Sequence, residues 1–295
     1  MLVAPLAAQD LEPRAYSASP TGANFAVFGF ARSSGGVVTD PSLPITDVQA
    51  TINSSVFGLG RTFGLFGKQA LVTAALPYAW GDISGKVGPQ LQEGSITRSG
   101  LADLRAKFSI NLHGSPAMTP QEFAKARHRS VIVGASLTLQ APTGQYGSTK
   151  LINLGTNRWA LRPEMGVSYP WKKFYFDLYA GAWFFTDNQS FFPGGSVRHQ
   201  DPLPSLQAHV SYTVRPKLWL AFDGTWYTGG EVFVNGGLAS QRQNNSRLGV
   251  TLSLPLSKQQ SLKIAYSDGV VARAGANFNT VSVTWQFLWF DHPQR

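Results

Sequence analysis

The chain has 295 residues, of which 43% are hydrophobic and only 14% are charged, against roughly 25% charged residues in an average soluble domain. It contains no cysteine, which excludes disulfide bonds, thiolate catalysis and cysteine-ligated metal sites. The net charge is +9, but the basic residues are dispersed along the sequence, so we expect no nucleic-acid partner. No stretch approaches the roughly 20 consecutive apolar residues that a membrane-spanning helix requires.

The first residues resemble the end of an export signal. An apolar run leads into Leu6-Ala7-Ala8, a small-residue sequence typical of a signal-peptidase cleavage site. We therefore interpret residues 1–9 as a signal-peptide remnant or a disordered N-terminus, and residues 10–21 as a periplasmic N-terminal segment. The alternative is the disordered tail of a soluble protein.

From residue 22 onward the sequence alternates between apolar and polar residues. In the last such stretch Val281, Val283 and Trp285 take one parity while Ser282 and Thr284 take the other. A period of two over about ten residues indicates a strand with one apolar and one polar face, and about ten tilted residues cross the apolar layer of a bilayer. The pattern predicts twelve strands: 22–32, 49–63, 68–81, 100–112, 131–142, 157–169, 173–186, 204–214, 218–229, 242–255, 260–269 and 278–290.

The connections between these strands alternate in length. Short links near residues 63–68, 169–173, 214–217 and 255–259 alternate with long Gly-, Asn-, Ser- and Pro-rich links over 33–48, 82–99, 143–156, 187–203 and 230–241. Outer-membrane barrels have short periplasmic turns and longer extracellular loops. We therefore predict an all-β fold: a transmembrane, antiparallel, up-and-down β-barrel of about twelve strands over 22–290, followed by a C-terminal tail, 291–295.

One link departs from this alternation. Residues 113–130 should be periplasmic but are long, and Thr119-Pro120 resembles a helix start with an N-cap and a proline at the first helical position. We predict a short periplasmic helix that ends near Arg127. It closes the lower rim of the barrel, or it acts as a plug or as a docking point for a periplasmic partner.

Strand parity also divides the side chains into a lipid-facing and a lumen-facing set. An Arg or Lys facing lipid at mid-depth would cost about 2–4 kcal/mol, so charged positions are expected to face the lumen. We interpret the inward set either as a salt-bridge network that keeps the barrel rigid or as a path that favours anionic or aromatic solutes. Its members are Arg105, Lys107, Arg158, Arg162, Glu164, Asp177, His209, Asp223, Arg247 and Lys263.

Aromatic residues fall into two groups. Most tryptophans lie near predicted strand ends or on the outer parity, which is typical of the girdles that anchor a barrel at the membrane interfaces. We assign Trp159, Trp226, Trp285 and Trp289 to such girdles, and we expect the same of Trp219. Phe191 and Phe192 lie instead in a long loop beside Pro193, and we predict that this loop folds into the mouth as a constriction.

Sequence motifs for catalysis and cofactor binding are absent. No G-x-S-x-G, H-E-x-x-H or paired-histidine metal spacing is present, and we expect neither an enzyme nor a cofactor or metal. Only His209, of the five histidines, falls within a predicted strand and could serve in acid–base chemistry. A hydrolase embedded in the barrel therefore stays open as the less favoured alternative.

Several segments resemble the bacterial outer-membrane family of phenol meta-pathway (MetA-pathway of phenol degradation) transporters. The similarity covers nearly all of residues 13–290, and it is carried by Gly60-Arg61-Thr62-Phe63-Gly64, Leu76-Pro77-Tyr78-Ala79-Trp80-Gly81-Asp82, Ile152-Asn153-Leu154-Gly155-Thr156-Asn157-Arg158-Trp159 and Trp183-Phe184-Phe185-Thr186-Asp187-Asn188. The resemblance implies an exported barrel with a role in the uptake of aromatic or other hydrophobic compounds. The chain departs from the usual aromatic end of outer-membrane proteins by continuing past Phe290.

Together these observations predict an outer-membrane channel for passive uptake of small aromatic, hydrophobic or anionic solutes. Its expected partners are outer-membrane lipid, lipopolysaccharide and a small-molecule solute. The alternative is a structural or partner-binding barrel with an occluded lumen. The oligomeric state does not follow from the sequence.

Overall fold

The computed structural model describes residues 11–38, 44–88, 90–126, 130–240, 242–273 and 275–291. Three predictions concern residues outside this set: the signal-peptide remnant 1–9, the end of the helix near Arg127, and the tail beyond Asp291. No helix in the described part of the chain is long and apolar enough to span a bilayer.

The described residues form strands along most of the chain, with one short helix, α1, over Pro120–Lys125. The strands are β1 Ala23–Val38, β2 Ile45–Leu65, β3 Lys68–Val87, β4 Gln92–Leu101, β5 Arg105–His113, β6 Ile132–Gln140, β7 Ala160–Trp171, β8 Phe174–Phe185, β9 Asn188–Phe191, β10 Ser196–Gln200, β11 Leu203–Arg215, β12 Leu218–Gly229, β13 Val232–Val234, β14 Gly237–Ser240, β15 Gln243–Pro255, β16 Gln260–Val271 and β17 Gly275–Phe290.

Twelve of these strands close into an antiparallel barrel. Neighbours around the ring follow one another in the chain, in the order β1, β2, β3, β5, β6, β7, β8, β11, β12, β15, β16 and β17, and β17 returns to pair with β1. Each of the twelve predicted strands corresponds to one of them, so the predicted fold class is confirmed. Closure leaves no unpaired strand edge in the membrane, where an unsatisfied backbone group would cost several kcal/mol.

The two faces of the wall alternate as the sequence predicts. Along β11 the burial alternates at almost every residue, so that His209 and Ser211 are buried while Val210 and Tyr212 are exposed. Large apolar side chains such as Met165 and Phe222 point outward around the whole ring. Such a continuous apolar exterior is unfavourable in water and matches the hydrocarbon layer of a bilayer.

Five strands lie outside the ring and were predicted as loops. β4 pairs only with β3 and extends the wall beyond the membrane, while β14, β13, β10 and β9 form a separate four-stranded sheet. The strands of that sheet have only three to five residues each, too few for alternation to be recognised. The described parts of the long extracellular loops therefore carry strands of their own, whereas the short links on the other side are tight turns.

The long periplasmic link folds along the barrel rim. Helix α1 has the predicted start, since Thr119 and Glu122 form a reciprocal capping box, but it ends at Lys125 and buries none of its residues. The link is held by backbone hydrogen bonds from Gln69 to Ser115 and from Ala117 to Gly67 at the β2–β3 turn. Docking of a partner at this helix stays a prediction.

The lipid-facing side of the wall can be tested at Phe222, which lies near the middle of β12 and is 64% exposed. Phe222→Arg places a charge in the apolar layer and should lower the free energy of unfolding in lipid vesicles by about 2–4 kcal/mol. Urea titration followed by the mobility shift of folded barrels in gels measures it. Phe222→Leu is the matched control, and equal stability of the two variants would contradict the assigned face.

Candidate functional site

The lumen wall carries every charged residue predicted to face inward. Seven of these ten residues are buried within the barrel: Arg158, Arg162, Glu164, Asp177, His209, Asp223 and Arg247. Arg105 and Lys107 are half-buried, and Lys263 projects into an open cavity. Their role in a solute path stays a prediction, since orientation alone does not show passage.

The N-terminal segment differs most from the expectation. Residues 11–21 were predicted to lie in the periplasm, but they enter the lumen and pack against inward side chains of β5 to β8, β11 and β12. The physical reason is hydrogen bonding: the inner wall there carries polar groups that the segment satisfies. We call residues 11–21 the inner segment.

Arg14 anchors the inner segment to one wall. Its backbone N–H donates to Asp177 Oδ2 at 3.1 Å, its Nε donates to Ser211 Oγ at 2.7 Å and its Nη2 donates to Thr213 Oγ1 at 2.6 Å. The guanidinium lies 4.8 Å from the ring centroid of Trp219. Trp219 is therefore buried and faces the lumen, which corrects its expected place in the membrane girdle.

Tyr16 occupies a notch in the wall. Gly134 and Gly166 are opposite each other in the β6–β7 register, and a Cβ at either position would overlap the Tyr16 ring. The hydroxyl of Tyr16 lies 3.1 Å from Glu164 Oε1 and 3.0 Å from Ser136 Oγ. Glycine at an inward strand position marks a close approach of another part of the chain, so the Gly134 and Gly166 positions are the sequence signal for this contact.

A cavity of about 460 Å³ remains beside the inner segment. Its apolar side comes from three consecutive strands, with Val27 and Ala31 on β1, Val56 on β2, and Ala75 and Ala79 on β3. Cations flank this apolar side in both directions around the ring, because β5 lies next to β3 and β16 follows β17. These cations are Arg105, Lys107, Arg162, Arg247 and Lys263.

Among the described residues that line the same cavity, two are acidic, and both are engaged. Glu12 Oε2 lies 2.5 Å from Lys107 Nζ. Asp103 accepts hydrogen bonds from the Gly144 and Thr156 backbone, the Thr156 hydroxyl and Gln140. Lys263, in contrast, has no hydrogen bond or ion pair within the described ranges, and its ammonium lies 5.8 Å from the Trp219 ring. The described lining of the cavity therefore combines an apolar surface with five basic and two acidic residues.

Salt bridges also occur on the wall, as the alternative interpretation predicted. Arg162 and Glu164 are in direct contact, and Lys107 Nζ lies 3.9 Å from the second oxygen of Glu164. The salt-bridge network and the cavity lining thus share Arg162 and Lys107. The same residues are therefore compatible with a rigidifying network and with a solute path.

His209 belongs to a separate buried network. Its Nδ1 lies 2.7 Å from Asp223 Oδ1, and Asp223 Oδ2 accepts a hydrogen bond from the Thr251 hydroxyl at 2.7 Å. His209 faces Asp177 and Asp223 across its two neighbouring strands. His209 does not line the cavity. This position fits a structural residue of the lumen wall.

The extracellular end is covered by folded loops. Phe191 is buried in a cluster with Ile152 and Leu154 from the preceding loop and with Ile52 and Ile83 from the wall, and Phe192 packs against it. The loop containing Phe191 and Phe192 thus lies inside the mouth, and its role as a constriction stays a prediction. Trp159, Trp226, Trp285 and Trp289 all point outward, as membrane anchors would.

The notch can be tested by filling it. Gly166→Ala should displace Tyr16 at a cost of about 1–3 kcal/mol, because the surrounding strands cannot move apart. The inner segment should then be cleaved faster by trypsin at Arg14, measured by mass spectrometry of the detergent-solubilised barrel. Gly195→Ala is the control, since a Cβ there meets open space. Unchanged cleavage in Gly166→Ala would contradict the assigned role of the notch.

His199 gives a pH-dependent prediction outside the membrane-spanning strands. Its ring nitrogens lie 2.7 Å from Asp187 Oδ1 and 3.3 Å from Asp201 Oδ1, and the hydrogen bond with Asp187 raises the pKa of His199. The protonated His199 imidazole therefore stabilises the fold through these two carboxylates. This contribution is complete below the ordinary histidine pKa of about 6.5 and is lost as the pH rises through the raised pKa.

Above the raised pKa of His199, backbone amides of β9 and β10 should therefore exchange faster than the ordinary pH dependence of amide exchange predicts. His199→Asn should remove the extra acceleration, and hydrogen-exchange mass spectrometry compares the two proteins. An identical pH profile for both would contradict it.

Comparison with solved structures identifies the architecture. The COG4313 outer membrane channel from Pseudomonas putida F1 superposes with a TM-score of 0.78 at 22% identity, over 95% of this chain and 100% of that chain. The β domain of the Bordetella autotransporter BrkA matches with a TM-score of 0.53 at 14% identity, over 91% and 100%. The transport unit of the Escherichia coli autotransporter AIDA-I matches at 0.50 and 13%, over 96% and 93%. These superpositions show that the chain shares the barrel fold of these outer-membrane proteins.

Among curated proteins no match is found. A family model described as "Putative MetA-pathway of phenol degradation" matches residues 20–290. That range contains the whole barrel, so the expected resemblance is confirmed. The chain belongs to this family of outer-membrane barrels.

Proposed function

We propose that this protein is a passive channel through which small aromatic, hydrophobic or anionic solutes cross the outer membrane. The observation that carries the proposal is the cavity itself, where an apolar patch from β1 to β3 lies between cations of β5 and β16. An aromatic ring gains free energy by leaving water for the patch. A negatively charged substituent gains from the flanking ammonium and guanidinium groups.

The path is asymmetric around the ring. The inner segment packs against β5 to β8, β11 and β12, and the cavity beside it opens toward β1 to β3. A solute moving along the lumen would therefore contact β1 to β3 and the cations that line the cavity. The cavity volume of about 460 Å³ suits a small ligand. The channel would require no energy source, because concentration differences alone move a passive solute.

The occluded barrel is the second candidate, and one observation favours it. The inner segment occupies part of the lumen around Tyr16 and Tyr179, and the cluster around Phe191 lies at the extracellular end. In this alternative the barrel binds a partner through its loops or α1 and passes no solute.

The two candidates differ in proteoliposome uptake of benzenesulfonate, an aromatic anion whose permanent charge hinders its diffusion through lipid. We expect benzenesulfonate to enter faster than glucose, and Ala75→Trp to reduce its entry at least about tenfold because an indole fills the apolar patch.

Ala74→Trp is the matched control, since the neighbouring Ala74 side chain points to lipid. Exclusion of both solutes by the wild-type protein would favour the occluded barrel. Equal uptake by both tryptophan variants would show that the cavity is not on the path.

A further inference from the structure

A row of side chains crosses one wall of the cavity from β16 to β3. Strand pairing places Lys263 on β16 opposite Thr284 on β17, and Thr284 opposite Gly29 on β1. The row continues with Val56 on β2 and Pro77 on β3, and all five residues line the cavity. A cation is thus followed by a hydroxyl, by a position without a side chain and by two apolar residues. Polar and apolar groups that could recognise a solute lie side by side in this row.

The next row toward the extracellular end is built of small side chains. Its members also line the cavity, and they are Ala265, Ser282, Ala31, Ser54 and Ala79. Small residues in both rows leave space beside the longer side chain of Lys263, and this space belongs to the cavity of about 460 Å³. A solute in the cavity can therefore reach Lys263.

The ammonium group of Lys263 is available to such a solute. It forms no ion pair or hydrogen bond within the described residues, and the carboxylates whose charges act on it from a distance are Glu12 and Asp223. Glu12 is held by Lys107 at 2.5 Å, and Asp223 lies 2.7 Å from the ring of His209. Both carboxylates are thus committed to closer partners. An anionic solute would give Lys263 the direct counter-charge that the described wall does not supply.

Two hydroxyl groups on β17 lie beside this ammonium. Thr284 is paired with Lys263 across the strands, and Ser282 is the next inward residue on β17. Thr280, one inward position further, is bonded to Ser33 at 2.9 Å, but the hydroxyls of Ser282 and Thr284 have no such partner in the part of the chain that the structure describes. A carboxylate accepts several hydrogen bonds on its two oxygens, so one ammonium and two hydroxyls can hold it together.

We propose that Lys263 and the two β17 hydroxyls bind the carboxylate of an aromatic acid, whose ring lies against Gly29, Ala31 and Val56. Neighbouring strands are about 4.8 Å apart, so β1 and β2 lie about 5 and 10 Å from the hydroxyls of β17. This spacing fits an acid whose carboxylate is attached directly to the ring. The inference rests on the proposed uptake function, because it assigns that path one class of solute, the arene carboxylates. Binding to the site does not itself require passage.

The experiment uses the full barrel in detergent and measures equilibrium binding of radiolabelled benzoate, with unlabelled benzamide and acetate as competitors. Each competitor lacks one of the two recognised groups, so each should displace the label at least about tenfold less effectively than unlabelled benzoate does. Lys263→Gln should lower the affinity for benzoate at least about tenfold, because it removes the charge, whereas Lys263→Arg should retain most of it. Thr284→Val removes one hydroxyl and should lower the affinity about tenfold.

Lys258→Gln is the matched control, since Lys258 is exposed in the turn between β15 and β16 and its loss changes the net charge equally. This variant should bind benzoate as the wild type does. Equal losses in the two glutamine variants, or an unchanged affinity in Lys263→Gln, would overturn the site. Displacement by acetate as effective as that by benzoate would overturn the aromatic class.

A second measurement on the wild-type protein keeps the test decisive if Lys263→Gln does not fold. Benzoate should raise the unfolding midpoint while benzamide does not, and the absence of any shift with benzoate would also contradict the site. If benzoate does not bind while benzenesulfonate uptake persists, the carboxylate site is wrong and the proposed channel stands.

Discussion

The structure depends on one constraint: within a bilayer every backbone N–H and C=O must be paired inside the protein. Twelve antiparallel strands satisfy it by closing on themselves, with β1 and β17 completing the ring. Closure then fixes every second side chain to lipid and every other one to the lumen. A ring of this size is too wide for its own side chains to fill, so the charged inner wall needs further partners. The inner segment and the extracellular loops supply them.

Much of this architecture follows from the sequence because alternation is local. Met165 and Glu164 are neighbours in the chain, and a period of two sends one to lipid and the other to the lumen. The inner segment could not be found in this way, since it lacks periodicity and its partners, such as Asp177 and Tyr179, lie more than 160 residues further along the chain. Trp219 was misplaced for a different reason: its aromatic type outweighed its parity, although Leu220 beside it is outward.

The candidate site shows the same division. The charge of the cavity follows from strand parity, because Arg105, Lys107 and Lys263 all take inward positions. The position of the apolar patch on β1 to β3 also follows from parity. Whether a solute can reach that patch does not. That access depends on which wall the inner segment covers, and the covering is set by the glycine notch around Tyr16 and the hydrogen bonds of Arg14. Such contacts form between distant strands, so residue spacing does not reveal them.

The two obstructions of the lumen differ in chemistry. The inner segment is held by hydrogen bonds and by the ion pair of Glu12 with Lys107, whereas the mouth is covered by apolar packing around Phe191. In the proposed channel an anionic solute would compete with Glu12 for Lys107, and an apolar solute would compete with the contacts of Phe191. A purely apolar compound could replace only the contacts of Phe191. A small inorganic anion could replace only the ion pair of Glu12 with Lys107. A solute with an aromatic ring and one negative charge would offer compensating contacts at both, so on the proposed channel function we expect amphipathic anions to pass more readily than either simpler class.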